Sequence, residues 1–403
     1  MTDVHSVFEA RFGRRPTHVS WAPGRVNLIG EHTDYNDLPV LPMAFQRLVR
    51  LALAPRDDGR VILHSTDSVF RPVEFEVRPG IPPDAPGHWG NYAKAPADTL
   101  ARRFAIWRGF DGVLDSDVPV AAGLSSSSAV VNAVGLALAH INEVAVEERA
   151  FAALMADAER YTGTQGGGMD QAVSLAARAG HALKITFSPL RLQHVLIPED
   201  WCFVVADSGV RVEKSGAAQK TYNARRAECE DAFGAVVEEV MRAGLAPTTP
   251  SHYPDLLRLV ERDQLMDLAE NVLDTALFRR FRHVVSEAGR VQEAVDRMKG
   301  ADLAGFGTLM DASHGSLRTD FLMSSRELDD LTAIAREGGA VGARLTGAGL
   351  GGCIVALADR GTVRGVIDAL VTQYFKPRKL LDRVEQRVFV ALPSAGAGFS
   401  AVA

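Results

Sequence analysis

Three glycine-rich stretches, at residues 22–36, 118–129 and 345–355, constrain this chain more than anything else in it. Glycine is placed where the backbone must turn tightly or approach another group closely, so each stretch asks for such a point. None is a phosphate loop of the GxxxxGK[ST] type, which occurs nowhere in the sequence. The third, Thr346-Gly347-Ala348-Gly349-Leu350-Gly351-Gly352, satisfies GxGxxG but leads into a strand-like run at 353–357. A dinucleotide fold needs that motif to open a helix after the first strand of a βαβ unit, so the context excludes one. A glycine turn between two strands is the better reading; close backbone packing against a neighbouring ligand loop would explain the glycines, and plain turn geometry, which taken alone is preferred, is the alternative.

A chain of 403 residues exceeds what one hydrophobic core usually organises, which points to two domains. Apolar residues recur at helical spacing over 126–142, 148–162, 170–177, 223–244, 278–298, 325–337 and 362–374. Short β-rich runs at 49–54, 61–65, 182–187, 202–206, 353–357 and 387–392 alternate with them, which implies an α+β architecture. The segment 189–198 is the expected boundary, giving domains 1–195 and 196–403, and the proline-rich stretch 79–86 reads as an excursion within the first. A net charge of -6 leaves no basic excess to attract nucleic acid or a membrane surface. Three cysteines in no metal-ligand spacing suit a reducing cytoplasm, and no apolar stretch is long enough to span a bilayer.

The first glycine stretch places Arg25, Glu31, His32 and Asp34 beside Gly24 and Gly30. Ionised carboxylates accept hydrogen bonds from several hydroxyls at once, so such density suits a polyhydroxylated ligand; a solvated surface loop is the alternative. In the second, Gly123-Leu124-Ser125-Ser126-Ser127-Ser128 runs directly into an apolar helix. The serines are either ordinary caps for the helix start or part of a phosphate pocket made by its N–H groups and dipole. Between the second and third lies Gly166-Gly167-Gly168-Met169-Asp170, where Asp170 is either an N-cap or a general base, the latter requiring a partner cation.

Gly30-Glu31-His32-Thr33-Asp34-Tyr35-Asn36, with the three glycine motifs in this order, resembles the galactokinases of the GHMP small-molecule kinase superfamily. The resemblance extends over nearly the whole chain, through Trp89-Gly90-Asn91-Tyr92, Tyr222-Asn223-Ala224-Arg225-Arg226 and Ser313-His314. It implies a two-domain α+β fold of the GHMP kinase type with the active site between the domains. It also implies an ATP-dependent sugar 1-kinase that converts D-galactose to galactose 1-phosphate with Mg²⁺. By the same resemblance Asp170 is the catalytic aspartate and Arg25 its cationic neighbour. Glu31, His32, Asp34, Gly167 and Tyr222 match the sugar-binding positions. Gly123, Leu124, Ser125, Ser126, Ser127 and Ser128 would hold the triphosphate, with Trp89 near the adenine. Ser127 and Glu159 match the ligands of the ATP-bound magnesium.

The chain departs from the family pattern at Asn36-Asp37-Leu38-Pro39, where galactokinases commonly continue with glycine, so the turn behind the sugar loop is expected to be stiffer. Gln165-Gly166-Gly167-Gly168 is closer to plant galactokinases and to N-acetylgalactosamine kinase, which makes N-acetylgalactosamine the alternative substrate. A non-catalytic sugar and ATP sensor is the reading from another class; such sensors lack residues after the serine run, which is complete here at 125–129.

Overall fold

A computed structural model describes residues 3–163, 165–211 and 217–402, without the side chains of 217–219. The chain sorts into two compact units, one made of Met1–Arg25, Ala44–Ala179 and Pro393–Ala403, the other of Val26–Met43 and Gly180–Leu392.

In chain order the first unit carries α1 (Val4–Phe12), β1 (His18–Asn27), β2 (Pro42–Arg56), β3 (Arg60–Ser65), β4 (Val73–Glu76), α2 (Asn91–Phe104), β5 (Gly109–Ser116), α3 (Ser126–Ile141), α4 (Glu148–Glu159) and α5 (Met169–Ala176). The last two residues of β1 and the first two of β2 count with the second unit. The second unit carries β6 (His181–Thr186), β7 (Arg191–Leu196), β8 (Trp201–Asp207), α6 (Ala217–Arg242), α7 (Tyr253–Leu259), α8 (Arg262–Val272) and α9 (Thr275–Lys299). It continues with α10 (Leu303–Thr319), α11 (Arg326–Glu337), β9 (Gly342–Thr346), β10 (Cys353–Asp359), α12 (Val363–Ala369), α13 (Val384–Arg387) and β11 (Val388–Ala391). Strand β12 (Gly398–Ala401) belongs to the first unit again.

The first unit's sheet runs β12-β1-β2-β5-β3-β4, with β3 and β5 parallel and β12 antiparallel to β1. Helix α3 is apolar nearly all round and buried over most of its length, which is why its sequence shows a broad rather than a one-sided stripe. Helix α1 begins on the Asp3 carboxylate, ends at Gly13 with φ +66, and buries Phe8 against Ala52, Ala54 and Val113.

The second unit has a four-stranded sheet, β11-β8-β10-β9, and a separate β6-β7 hairpin. β10, Cys-Ile-Val-Ala-Leu-Ala-Asp, is flanked on both sides and buried almost throughout, as a continuous apolar run requires. Residues 347–352 join β9 to β10, so the third glycine stretch is the inter-strand turn that was expected. Leu38, standing in the departure from the family pattern, fills the core of this unit. The turn ahead of it is closed by Asp37 at φ +60, whose N–H bonds Asp34 O, and Asp37 is further tied to Ser188 Oγ at 2.7 Å.

A single cut between 195 and 196 does not describe these units. The change falls between Ala179 and Gly180, ahead of the β6-β7 hairpin, and both units are discontinuous in sequence. Residues 26–43 pack with the second core and 393–403 with the first because contacts distant in sequence decide membership, and no local composition change marks them. Residues 22–27, read as part of a glycine loop, form the end of β1.

Candidate active site

In the first unit β1 runs against the serine loop. A Cβ on Gly24 would stand 2.8 Å from Val118 Cγ1 and 2.9 Å from the Leu124 carbonyl, so only glycine allows this approach. Arg25 follows directly. Its N–H donates to Leu124 O at 3.2 Å, and Nη1 donates to Gly123 O at 2.6 Å. Nε and Nη2 converge on a single oxygen of Asp170, Oδ1, at 2.8 and 2.7 Å. The Arg25 side chain is 6% exposed and that of Asp170 18%, so the pair is largely shielded from water while keeping an open side. Asp170 therefore has the partner cation that a catalytic reading demands. The capping alternative falls away: the N-cap of α5 is Gly168, at φ +101, and Asp170 lies inside the first helical turn.

The serine loop does not cap its helix either. Ser125 is the N-cap of α3 but takes left-handed angles, φ 61 and ψ 36, and its side chain makes no capping bond. Its Oγ is buried without a hydrogen-bond partner. Ala121 and Gly123 also have positive φ, so the loop folds back on itself and presents N–H groups at the positive end of a 16-residue helix. Ser127 and Ser128 turn their hydroxyls to Glu159, donating to Oε1 at 3.0 Å and Oε2 at 2.7 Å. Glu159 is buried at the last position of α4, where the helix dipole disfavours a carboxylate. Gln171 Nε2 donates to it as well. The sequence reading assigned Gln171 no role; its only signal was its place directly after Met169-Asp170. Gly167 lies in the same unit, in the loop ahead of α5. Trp89, half-buried before α2, donates Nε1 to Arg71 O at 2.9 Å and meets Phe70 edge-on.

In the second unit the segment after β1 carries Glu31, His32 and Asp34. Gly30 has φ +99, and a Cβ there would lie 2.9 Å from Val40 Cα. Thr33 Oγ1 and Asn36 Nδ2 bond the Gly30 and His32 carbonyls at 2.9 Å each, which closes the loop internally. His32 is packed among the rings of Tyr35, Tyr222 on α6 and Phe321, with centroids 5.9, 5.6 and 4.6 Å away. Burial, helped by the nearby His283, pushes its pKa down to about 3, so the ring is neutral. Nδ1 meets Tyr35 Oη at 2.9 Å, and Nε2 is buried without a hydrogen-bond partner. When the Tyr35 hydroxyl donates to Nδ1, Nε2 carries the proton and offers a donor to a ligand hydroxyl. Asp34 is half-buried at the start of the 3-10 turn Asp34–Asn36.

Glu31 departs from the picture of a carboxylate spread toward hydroxyls. It is 3% exposed, and Oε1 accepts the Gly347 N–H at 2.7 Å from the third glycine stretch, with Arg344 Nη1 at 3.6 Å. The third glycine stretch thus meets the segment carrying Glu31 through its backbone. Sequence reasoning missed Arg344, Glu287 and His283, which surround this segment. Arg344 stands alone among uncharged residues on β9, and His283 and Glu287 stand on the charge-rich helix α9, where nothing in the sequence marks them off from exposed neighbours.

Residues 91–178 match the N-terminal domain of GHMP kinases and residues 291–376 their C-terminal domain, which defines the class. Residues 6–55 match the galactokinase galactose-binding signature. The galactokinases of Chloroflexus aggregans and Chloroflexus aurantiacus are each 37% identical, covering 100% of this chain and 98% of those proteins. The crystal structure of Lactococcus lactis galactokinase complexed with galactose aligns with a TM-score of 0.86 at 28% identity, covering 98% of either chain. The chain belongs to the galactokinase family.

Proposed function

We propose that this protein transfers the γ-phosphoryl group of ATP to the anomeric hydroxyl of D-galactose, giving galactose 1-phosphate and ADP. The observation that carries the reading is the Arg25–Asp170 fork, held in the same unit as a helix-start loop with a buried, unpartnered hydroxyl. Asp170 Oδ2 receives the hydroxyl proton while Arg25 holds Oδ1 and offsets charge on the attacking oxygen. The N–H groups from Gly123 to Ser128 and the Ser125 hydroxyl bind phosphate oxygens. Glu31, His32, Asp34, Gly167 and Tyr222 orient the sugar, and Trp89 borders the adenine.

Ser127 Oγ and Glu159 form an all-oxygen pair, and among the described residues no group of three or more His, Cys, Asp or Glu could hold a metal ion. That set fits Mg²⁺, which usually takes one or two protein ligands and completes its shell with phosphates and water. When bound, Mg²⁺ neutralises the triphosphate oxygens. No described helix is long and apolar enough to cross a membrane, and Cys202, Cys229 and Cys353 form no disulfide, which supports placing the reaction in the cytoplasm.

The test is ADP release measured against galactose, N-acetylgalactosamine, arabinose and glucose, with the product's phosphate position read by phosphorus NMR. Preference for galactose with phosphate on C1 is expected. Preference for N-acetylgalactosamine would reassign the substrate, and binding of both ligands without ADP release would make the chain a sensor.

A further inference from the structure

The segment bearing Glu31 rests on a group of largely buried charges. Arg344, fully buried on β9, stands between Glu31 Oε1 at 3.6 Å and Glu287 Oε1 at 4.0 Å. Its Nη1 donates to the Asn27 carbonyl at 2.9 Å and its Nε to Ser313 Oγ at 3.1 Å. Glu287, fully buried on α9, accepts the Gly30 N–H at 2.9 Å and the Ser313 hydroxyl at 2.6 Å on Oε1. Its Oε2 takes Arg290 Nε at 2.6 Å. Across the same segment His283 Nε2 meets the Glu31 carbonyl at 3.1 Å; a carbonyl only accepts, so the proton is on Nε2.

Such a cluster is a weak source of stability. Desolvating two carboxylates and two guanidiniums costs several kcal/mol per ion, and well-packed apolar side chains of similar volume are often as stable. What apolar side chains cannot do is bind the carbonyl of Asn27 and the N–H of Gly30 and fix a carboxylate between them. Apart from the Arg290–Glu287 pair, every contact of Arg344 and Glu287 described above ends on this segment or on a group that holds it.

We propose that Arg344 and Glu287 are positioning residues for sugar recognition, acting through Glu31 and the backbone of residues 27–31. The inference rests on the reading of Glu31 as a sugar ligand. Arg344 compensates the Glu31 charge and holds its carboxylate in one orientation against the Gly347 N–H. Glu287 sets the height of the loop by taking the Gly30 amide.

The experiment is steady-state kinetics with galactose and with ATP on Arg344→Lys, Glu287→Gln, Glu31→Gln and the double variant Arg344→Lys/Glu31→Gln, each with its melting temperature. Leu331→Ala, a truncation elsewhere in the same core, is the stability control. Glu287→Gln keeps Oε1 for Gly30 and Ser313 and so guards against loss of fold in the arginine variant. Arg344→Lys retains charge but cannot serve Asn27, Ser313 and Glu31 together. It is expected to raise the galactose KM at least roughly tenfold, leave the ATP KM within about twofold, and add little once Glu31 is already Gln. Leu331→Ala should lower the melting temperature and leave the galactose KM in place. Unchanged galactose KM in both folded single variants, or full additivity with Glu31→Gln, overturns the proposal. Failure of the wild type to use galactose would instead refute the sugar assignment, and the same ratios are then read with the hexose it does use.

Discussion

Replacing Asp170 by Asn separates chemistry from architecture at a place where both were conceivable. Asp170 is not the cap of α5, since Gly168 occupies that position, so asparagine's own capping ability is irrelevant to the outcome. What the substitution changes is the fork, in which two Arg25 donors converge on Oδ1 at 2.8 and 2.7 Å. Charge-assisted bonds contribute about 1.5–3 kcal/mol and neutral ones about 1 kcal/mol, so an amide oxygen in the same place, with two bonds weakened, loses about 1–4 kcal/mol. Arg25 keeps its bond to Gly123 O, which limits the damage. The melting temperature should fall by about 2–4 °C for each kcal/mol lost in a unit of this size. Phosphoryl transfer should fall at least roughly a hundredfold, because asparagine cannot accept the hydroxyl proton. The assay is a single-turnover measurement of galactose 1-phosphate formation beside calorimetric galactose binding, with galactose affinity expected to stay close to that of the wild type. A lowered melting temperature accompanied by a wild-type single-turnover rate would show that the fork is only structural.

Ser127→Ala removes one of the two oxygens proposed for magnesium and should raise the Mg²⁺ needed for half-maximal turnover by on the order of tenfold, with calorimetric galactose affinity unmoved; turnover that persists in excess chelator contradicts it. Asp34→Asn should cost on the order of 1–3 kcal/mol in sugar binding, read as a higher galactose KM with the ATP KM nearly constant, and equal shifts in both would mean a structural loop. Acid should weaken the second unit. His32 and His283 have folded pKa values of about 3 and about 4 against an ordinary 6.5, both depressed chiefly by burial. The unfolded chain therefore binds more protons than the folded one below pH 6.5. The stabilisation is complete above that pH and is lost as pH falls toward 4, at up to about 1.4 kcal/mol per pH unit for each ring. Burial by itself would raise the Glu287 pKa, but Arg290, His283 and Arg344 hold it at about 2, so Glu287 stays ionised through this window. Urea midpoints at pH 7.5 and 5.5 test the slope, and a flat profile would mean that the rings are not buried neutral.

What the amino-acid sequence determined by itself is local. The helical periodicity at 126–142 and 278–298 became α3 and α9, because a buried face repeats every 3.6 residues wherever a helix meets a core. The glycines at 347–352 announced a turn between strands, since positive φ is a property of single residues. Motif order placed the chain among the galactokinases without any knowledge of its packing. The choice between roles was tertiary. Ser125 to Ser128 are good caps by type, yet Ser125 caps nothing, and Ser127 and Ser128 face Glu159, a buried carboxylate 32 and 31 residues on that outcompetes the local N–H groups. Asp170 lies inside the first turn of α5 and pairs with Arg25, 145 residues away, and no spacing rule links the two. Glu287 was one of many charges on α9 and Arg344 a single one on β9, so neither was marked out, and 26–43 and 393–403 changed units without a composition signal. Propensity and turn chemistry act over a few bonds and are written residue by residue. Charge pairing and burial depend on which surfaces meet, and that is decided only when the whole chain has packed.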